Sequence, residues 1–550
     1  MRTLTTIELK GTLGNALRRS CDNRLKTVDY LKMAEPFILR NETDNGWRCE
    51  FWGKVIRSAI LTNYWLKDAE LARKIRGGID AILEAQTPDG CISSYPVEKQ
   101  CTGWDVWGRK YVLMGLMRYC EYVEMDPRVL DAAVRMTDQL FAQLRERGLS
   151  LYQCGMHGGL PATSIFTAVM ELHSLTYEPR MLEYAREILE LGASSTHDAF
   201  EAARLGCAPA EIGNAKAYEL TSCFEGLADL HCVEPKQEYL ESCVNYFNGV
   251  REREIFITGT GGLKDRNGEF WMSGALHQTQ QGRGIGMLGE TCITATWLHY
   301  CLKMAALLPN ETVPFDEAER SIYNALLGAM TPDGSNWCHQ NPTPLTGGPK
   351  MPSTDQILRG FGVPFDGHDC CRAQGPEGLA CAPLFIFTAD DGQGTLAVNL
   401  YEPLKAEFSD GTRLEITGSY PFSTSATLHL TSERELPLRL RIPRHCTGVL
   451  LNGNPLEAMP GSFLHLTRKW EADDTLELTF DLSPKAVLPP DGSAYTAVLC
   501  GPIVMAEDSR GECPDANLRA TWNGHTLVDY ITAGNAFSPE NTLAVWLSAR

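Results

Sequence analysis

The chain predicts two successive domains, a helical toroid followed by a β-sandwich. Three observations carry that prediction. The chain has 550 residues, too many for one small core. Over about the first 385 of them, apolar positions recur at a helical period. After that the period falls to 2, as in half-buried strands. A hydrophobic share of 43% and a charged share of 22% exclude a mostly disordered chain.

The elements follow in chain order. Ile79, Ile82 and Leu83 form an apolar stripe that stops at Thr87-Pro88-Asp89-Gly90. Proline fixes φ there and glycine permits a positive φ. Tyr177-Glu178-Pro179-Arg180 reads as a short turn between helices. The next stripe is Met181, Leu182, Ala185, Ile188 and Leu189, with Glu183, Arg186 and Glu187 between them. The run from Ile322 to Leu327 ends at a second turn of the first kind, Thr331-Pro332-Asp333-Gly334. Helical hairpins repeated over such a length suggest a toroid rather than a small bundle. Beyond Asp390-Asp391-Gly392-Gln393-Gly394, Leu438, Leu440 and Ile442 alternate with Arg439 and Arg441. Leu476, Leu478 and Phe480 alternate with Glu477 and Thr479, and Asn452-Gly453-Asn454-Pro455 supplies a turn. The expected division is a helical domain over 1–388 and a β domain over 389–550.

A net charge of −19 argues against nucleic acid and against anionic membranes as partners. No apolar run has the roughly 18 residues of a membrane span, and Met1 to Lys10 lacks a secretory-type apolar run. Nineteen cysteines, an odd number, cannot all pair within the chain. They suit a reducing compartment. The expectation is a cytoplasmic protein with no membrane and no nucleic acid partner; a homo-oligomer stays open.

Gly259-Thr260-Gly261-Gly262 lacks the ending of a phosphate loop and reads as a tight turn. The sequence has no Gly-x-Ser-x-Gly elbow and no His-Glu-x-x-His. Two segments bring hard and soft metal donors together, Glu290-Thr291-Cys292 and His368-Asp369-Cys370-Cys371. Neither has the Cys-x-x-Cys of a zinc knuckle. On residue types alone, Cys370 and Cys371 read as ordinary thiols and Glu290 as a surface or capping carboxylate. Trp104 and Asp105 precede a helical run, and His157-Gly158-Gly159 forms a second possible rim. Core packing and sugar contact are both open readings for them.

Motifs spread along the chain resemble those of one family. Gly46-Trp47 is followed by Glu50-Phe51-Trp52-Gly53-Lys54, then Gln86-Thr87-Pro88-Asp89-Gly90 and Ser94-Tyr95-Pro96. Phe256-Ile257-Thr258-Gly259-Thr260-Gly261, Glu290-Thr291-Cys292 and Cys370-Cys371 come next. Val398-Asn399-Leu400-Tyr401, Leu440-Arg441-Ile442-Pro443, Leu451-Asn452-Gly453, Cys500-Gly501-Pro502 and Val545-Trp546-Leu547 close the series. In order and spread they resemble glycoside hydrolase family 127 and its close relatives, the β-L-arabinofuranosidase-type enzymes.

That resemblance implies an (α/α)6 barrel followed by β-sandwich structure. It implies a zinc ion held by Glu290, Cys292, Cys370 and Cys371, with Cys370 as the nucleophile and His368 beside it. Gly268-Glu269-Phe270 matches the family's acid/base segment and nominates Glu269, although the stretch between Glu269 and Glu290 is longer than typical members have. Asn214 stands where many members present a substrate-binding histidine. Asparagine does not titrate near neutrality, which allows a sugar other than arabinofuranose; a helix-capping role for Asn214 is equally open.

The function expected is exo-acting retaining hydrolysis of an oligosaccharide or glycoside. Substrate contacts would come from His368, Asn214, His157, Trp104 and Asp105. Two alternatives remain. One is a zinc-free toroid enzyme, such as a sugar epimerase or an unsaturated uronyl hydrolase. The other is a carbohydrate-binding protein that keeps zinc for stability.

Overall fold

The computed structural model describes residues 2–42, 46–262, 269–272, 288–342, 348–353, 369–456, 459–489, 492 and 494–548. His368 lies outside them, as does most of the stretch between Glu269 and Glu290.

The helical part begins with α1 (Thr12–Asn23), α2 (Tyr30–Leu39), α3 (Cys49–Leu66) and α4 (Ala69–Glu84). It continues with α5 (Asp105–Tyr122), α6 (Pro127–Arg147), α7 (Leu160–Thr163), α8 (Ile165–Thr176), α9 (Pro179–Glu190) and α10 (Ala199–Arg204). Then come α11 (Ala217–Val233), α12 (Gln237–Arg253), α13 (Thr291–Leu307), α14 (Val313–Arg320), α15 (Leu327–Ala329) and α16 (Cys370–Cys381).

Local chemistry starts and stops these helices. The Asp68 side chain accepts from the Leu71 N–H and caps α4. Leu71, Ile75, Ile79 and Ile82 then bury one stripe. The helix ends before the anticipated turn, where Gly90 has φ 103° and its N–H reaches the Thr87 carbonyl at 2.9 Å. Pro179 opens α9, whose buried side is Met181, Tyr184, Ala185 and Ile188. Between α14 and α15 the run expected to be a plain helix is a π-helical turn, Ser321–Leu326. Asn324, inside that turn, donates to the Pro502 carbonyl at 2.9 Å and accepts from the Val504 N–H at 2.7 Å. Tertiary bonding therefore accompanies the wider winding.

Two classes of helix result. Helices such as α4, α6 and α9 bury one face. By contrast, α3, α5, α11 and α16 are buried around most of their circumference, as interior helices must be. Among the described residues, α3 packs on α5, α5 on α8, α8 on α11, α11 on α13, α13 on α16, and α16 back on α3. The cycle closes. Its N-terminal ends gather on one side: Cys49 at the start of α3 reaches the Trp104 carbonyl before α5, and Trp107 of α5 lies 5.5 Å from Tyr218 of α11.

The β part follows α16. One sheet contains Leu404–Phe408, Arg413–Gly418, Ser425–Thr431 and Thr475–Thr479 in antiparallel order. A second pairs Glu435–Ile442 antiparallel with Ser462–Lys469 and parallel with Leu396–Val398. Leu414, Ile416, Leu428 and Leu430 of the first and Leu436, Leu438 and Leu440 of the second enter one core. A third sheet is built from segments between Pro484 and Ser548. The chain's first strand, Leu4–Leu9, pairs antiparallel with Leu404–Phe408, so the β part is completed by residues from the other end of the sequence. No helix of the described residues is long and apolar enough to cross a membrane.

Candidate active site

Two chain segments meet at the gathered helix ends. The first is Leu288–Glu290, which leads into α13 and pairs antiparallel with Gln340–Pro342. The second is Asp369, whose side chain caps α16 by accepting from the N–H groups of Cys371 and Arg372.

Glu290 is pinned from below. Its N–H donates to the Gly261 carbonyl at 3.0 Å, and the Thr260 hydroxyl donates to its carbonyl at 3.2 Å. Thr260 belongs to the glycine turn, where Gly259 adopts φ 84°. That turn therefore supports the site rather than cradling a phosphate.

Sulfur, oxygen and nitrogen converge above it. Cys371 Sγ lies 3.5 Å from Cys292 Sγ, 3.6 Å from Glu290 Oε1 and 4.0 Å from Cys370 Sγ. Cys370 Sγ is 3.8 Å from Glu290 Oε1 and 3.9 Å from His339 Nδ1. His339 Nε2 stands 3.9 Å from Glu290 Oε1. Donor atoms of Glu290, His339, Cys370 and Cys371 all lie within 4.8 Å of one another. Glu290, Cys292 and Cys371 are at most 1% exposed, and Cys370 is 7% exposed.

These donors fit a metal ion. Two ligands on a tetrahedral ion with bonds of about 2.0–2.3 Å stand roughly 3.3–3.8 Å apart, close to the separations seen. Glu290 Oε2 is buried without a hydrogen-bond partner among the described residues. A buried carboxylate oxygen left in that state is costly unless a cation meets it.

The electrostatics single out one thiol. Hydrogen bonding from Cys292 and Cys371, with help from the charge on His339, holds Cys370 well below the ordinary thiol range against its own burial. Burial pushes Cys292 and Cys371 well up. Burial, reinforced by the charge on Cys370, raises Glu290 well above the usual carboxylate range. Helix N-termini around the cluster favour negative charge.

Glu269 belongs to the same surroundings. Its charge acts on Glu290, and its carboxylate forms an ion pair with Lys216 Nζ. Lys216 is 2% exposed and lies 3.9 Å from Glu219. Burial alone would lower the Lys216 pKa; Glu219 and Glu269 outweigh it and raise it. Burial in turn brings Glu219 up to about 7.

An aromatic collar surrounds this pair. Trp104 meets His157 at 5.7 Å between ring centroids, and His157 meets Phe270 at 5.5 Å. Lys216 Nζ sits 5.0 Å above both Phe270 and Tyr218. Asn214 accepts from the Lys216 N–H at 3.2 Å, in the turn before α11. Asp105 is 1% exposed, and it accepts from Ser93, from the Cys101 N–H at 2.7 Å and from Arg109 at 2.9 Å.

His339 and Lys216 are the site residues that the sequence reading does not single out. The sequence signal for His339 was slight, a histidine next to a cysteine in Trp337-Cys338-His339.

Comparisons with known proteins bear on this arrangement. The family model described as β-L-arabinofuranosidase, GH127 catalytic domain, matches residues 13–383. The model of the GH127 middle domain matches residues 395–482. Matches of that extent define a glycoside hydrolase. The chain belongs to glycoside hydrolase family 127. The non-reducing end β-L-arabinofuranosidase of Bifidobacterium longum subsp. longum is 23% identical over 585 aligned positions, covering 95% of this chain and 83% of that protein. The solved GH127 β-L-arabinofuranosidase of Geobacillus stearothermophilus T6 superposes with a TM-score of 0.75 at 16% identity, over 99% of this chain and 100% of that one. Another solved GH127 β-arabinofuranosidase gives 0.77 at 18% identity, over 99% and 97%. At those identities the likeness shows the fold.

Proposed function

We propose that this glycoside hydrolase is exo-acting and retaining, with Cys370 as nucleophile and Glu269 as acid/base. Zinc would be held by Glu290, Cys292, Cys370 and Cys371. The observation that carries the reading is the convergence of carboxylate and thiol donors at separations of 3.5 to 4.0 Å. When bound, zinc keeps its thiol ligands deprotonated at neutral pH.

The chain's own groups supply the rest. The Cys370 thiolate attacks the anomeric carbon, so that a C–S bond forms while the glycosidic C–O bond breaks. Glu269, as the acid, gives its proton to the departing oxygen. It then takes a proton from water, whose oxygen attacks the anomeric carbon and releases Cys370. Lys216 orients the Glu269 carboxylate through their ion pair. Trp104, His157, Asn214 and, from outside the described residues, His368 would contact the sugar. Asp105 would hold the loop that carries Trp104.

The names of the relatives favour a terminal β-L-arabinofuranosyl residue or a related sugar as the group removed. The closed cycle of helices supports an (α/α)6 barrel, and the two sheets sharing one core support a β-sandwich, divided near residues 388 and 389. A chain whose 19 cysteines form no disulfide suits a reducing compartment, so a cytoplasmic address is part of the reading. Release of sugar from a panel of aryl furanosides and pyranosides, with zinc content measured on the same samples, tests it. Turnover of a furanoside that is lost in Cys370→Ser supports the reading; turnover that survives the substitution contradicts it.

A further inference from the structure

We propose that His339 is itself a ligand of the metal in this chain, binding through Nε2, so that five donors serve the site. The inference rests on the zinc–thiolate reading above. Its support is geometric. His339 Nδ1 lies 3.1 Å from Asp369 Oδ2. Asp369 cannot follow the imidazole elsewhere, because its other oxygen accepts from the Cys371 N–H and the Ser353 hydroxyl, each at 2.9 Å.

With the Nδ1 proton given to Asp369, the Nε2 lone pair is left to act as a donor. A carboxylate behind the imidazole is the usual companion of a metal-bound histidine, because it fixes the tautomer and raises ligand basicity. The Nε2 atom stands 3.9 Å from Glu290 Oε1. That is too long for a hydrogen bond but near the spacing of two ligands on one ion. One ring nitrogen of His339 also belongs to the set whose donor atoms lie within 4.8 Å of one another, with Glu290, Cys370 and Cys371, and Cys370 Sγ lies 3.9 Å from Nδ1 of the same ring. Cys292 joins that set through Cys371, at 3.5 Å.

Five donors for a four-coordinate ion leave one to spare. Cys370 is then the sulfur that the site can lose without losing its metal, as a nucleophile must be able to do.

The test is zinc affinity, read by competition with a chromophoric chelator, in wild type, Cys370→Ala, His339→Asn and the double variant. Asparagine keeps a donor for Asp369 and removes Nε2. Wild type and Cys370→Ala should each hold zinc, while His339→Asn added to Cys370→Ala should weaken it at least ~10-fold. A double variant within twofold of Cys370→Ala overturns the inference. X-ray absorption of the zinc-loaded wild type gives a second readout. Imidazole scattering that disappears in His339→Asn supports the ligand, and its absence from wild type removes it. A wild-type chain that takes up no zinc overturns the reading beneath it.

Discussion

Cys370 Sγ and Glu290 Oε1 stand 3.8 Å apart although 80 positions separate them in the chain. Two interior helices, α13 and α16, bring them together by starting side by side.

Gly289 precedes Glu290, and a Cβ there would come within 2.1 Å of the Thr260 side chain. Thr260 is fully buried, so it cannot swing aside. Gly289→Ala is expected to displace Glu290 and weaken zinc binding on the order of 10-fold or more. Metal analysis after dialysis checks this, and unchanged zinc content would mean that the strand yields without moving the carboxylate.

Removal of the proposed zinc should lower both activity and stability, because binding to the folded state alone adds RT ln(1 + [L]/Kd) to stability. Chelator treatment is expected to lower the melting temperature, and added zinc to restore it. A melting temperature indifferent to chelator would speak against a metal at the cluster.

Glu269→Gln removes the proposed proton donor. Substrates with poor leaving groups should lose roughly 10²–10⁴-fold in kcat/KM, while aryl glycosides with good leaving groups should still load the enzyme. Equal losses on both substrate types would assign Glu269 to binding.

Arg441, on strand Glu435–Ile442, pairs with Asp316 at 2.6 Å and Glu319 at 2.8 Å. The first acid lies on α14, as does the second, so the contact joins the β part to the helical part. Arg441 is fully buried. Replacing it with methionine strands the two acids, and the expected loss is about 3–5 kcal/mol. Thermal denaturation measures it; a change under about 1 kcal/mol would show that the acids find other partners.

Glu402 links the same two parts, accepting from the Leu13 N–H at 2.7 Å and from the Tyr323 hydroxyl at 2.6 Å. Burial raises its pKa from 4.5 to about 7. Between those values the folded state holds a proton that the unfolded state has lost, so stability falls as pH rises. The contribution is complete below about 4.5 and is gone above about 7. Glu402→Gln should flatten the decline in melting temperature between pH 5 and pH 8. An identical slope in the variant would place the pH dependence in other buried acids.

Much of this was legible in the sequence, and for identifiable reasons. The stripes at Ile79–Ile82 and Met181–Ile188 marked helices because one face of each is wet. The interior helices α3 and α5 carry no such contrast, since Glu50, Lys54, Asp105 and Arg109 are buried beside apolar neighbours. Strand Leu4–Leu9 is not legible locally, because its partner lies some 400 residues away. At the site, Glu290, Cys292, Cys370 and Cys371 were nominated by resemblance, and the fold brings them together. His339 carries no sequence signal of its own, because a lone histidine gains meaning only when Asp369 stands behind it and Glu290 before it.

The most direct test of the account is mass spectrometry of the enzyme quenched during turnover of an aryl β-L-arabinofuranoside. A peptide carrying one pentosyl group on Cys370 is expected, absent from Cys370→Ser. A sugar adduct on a carboxylate, or turnover of Cys370→Ser at the wild-type rate, would contradict it.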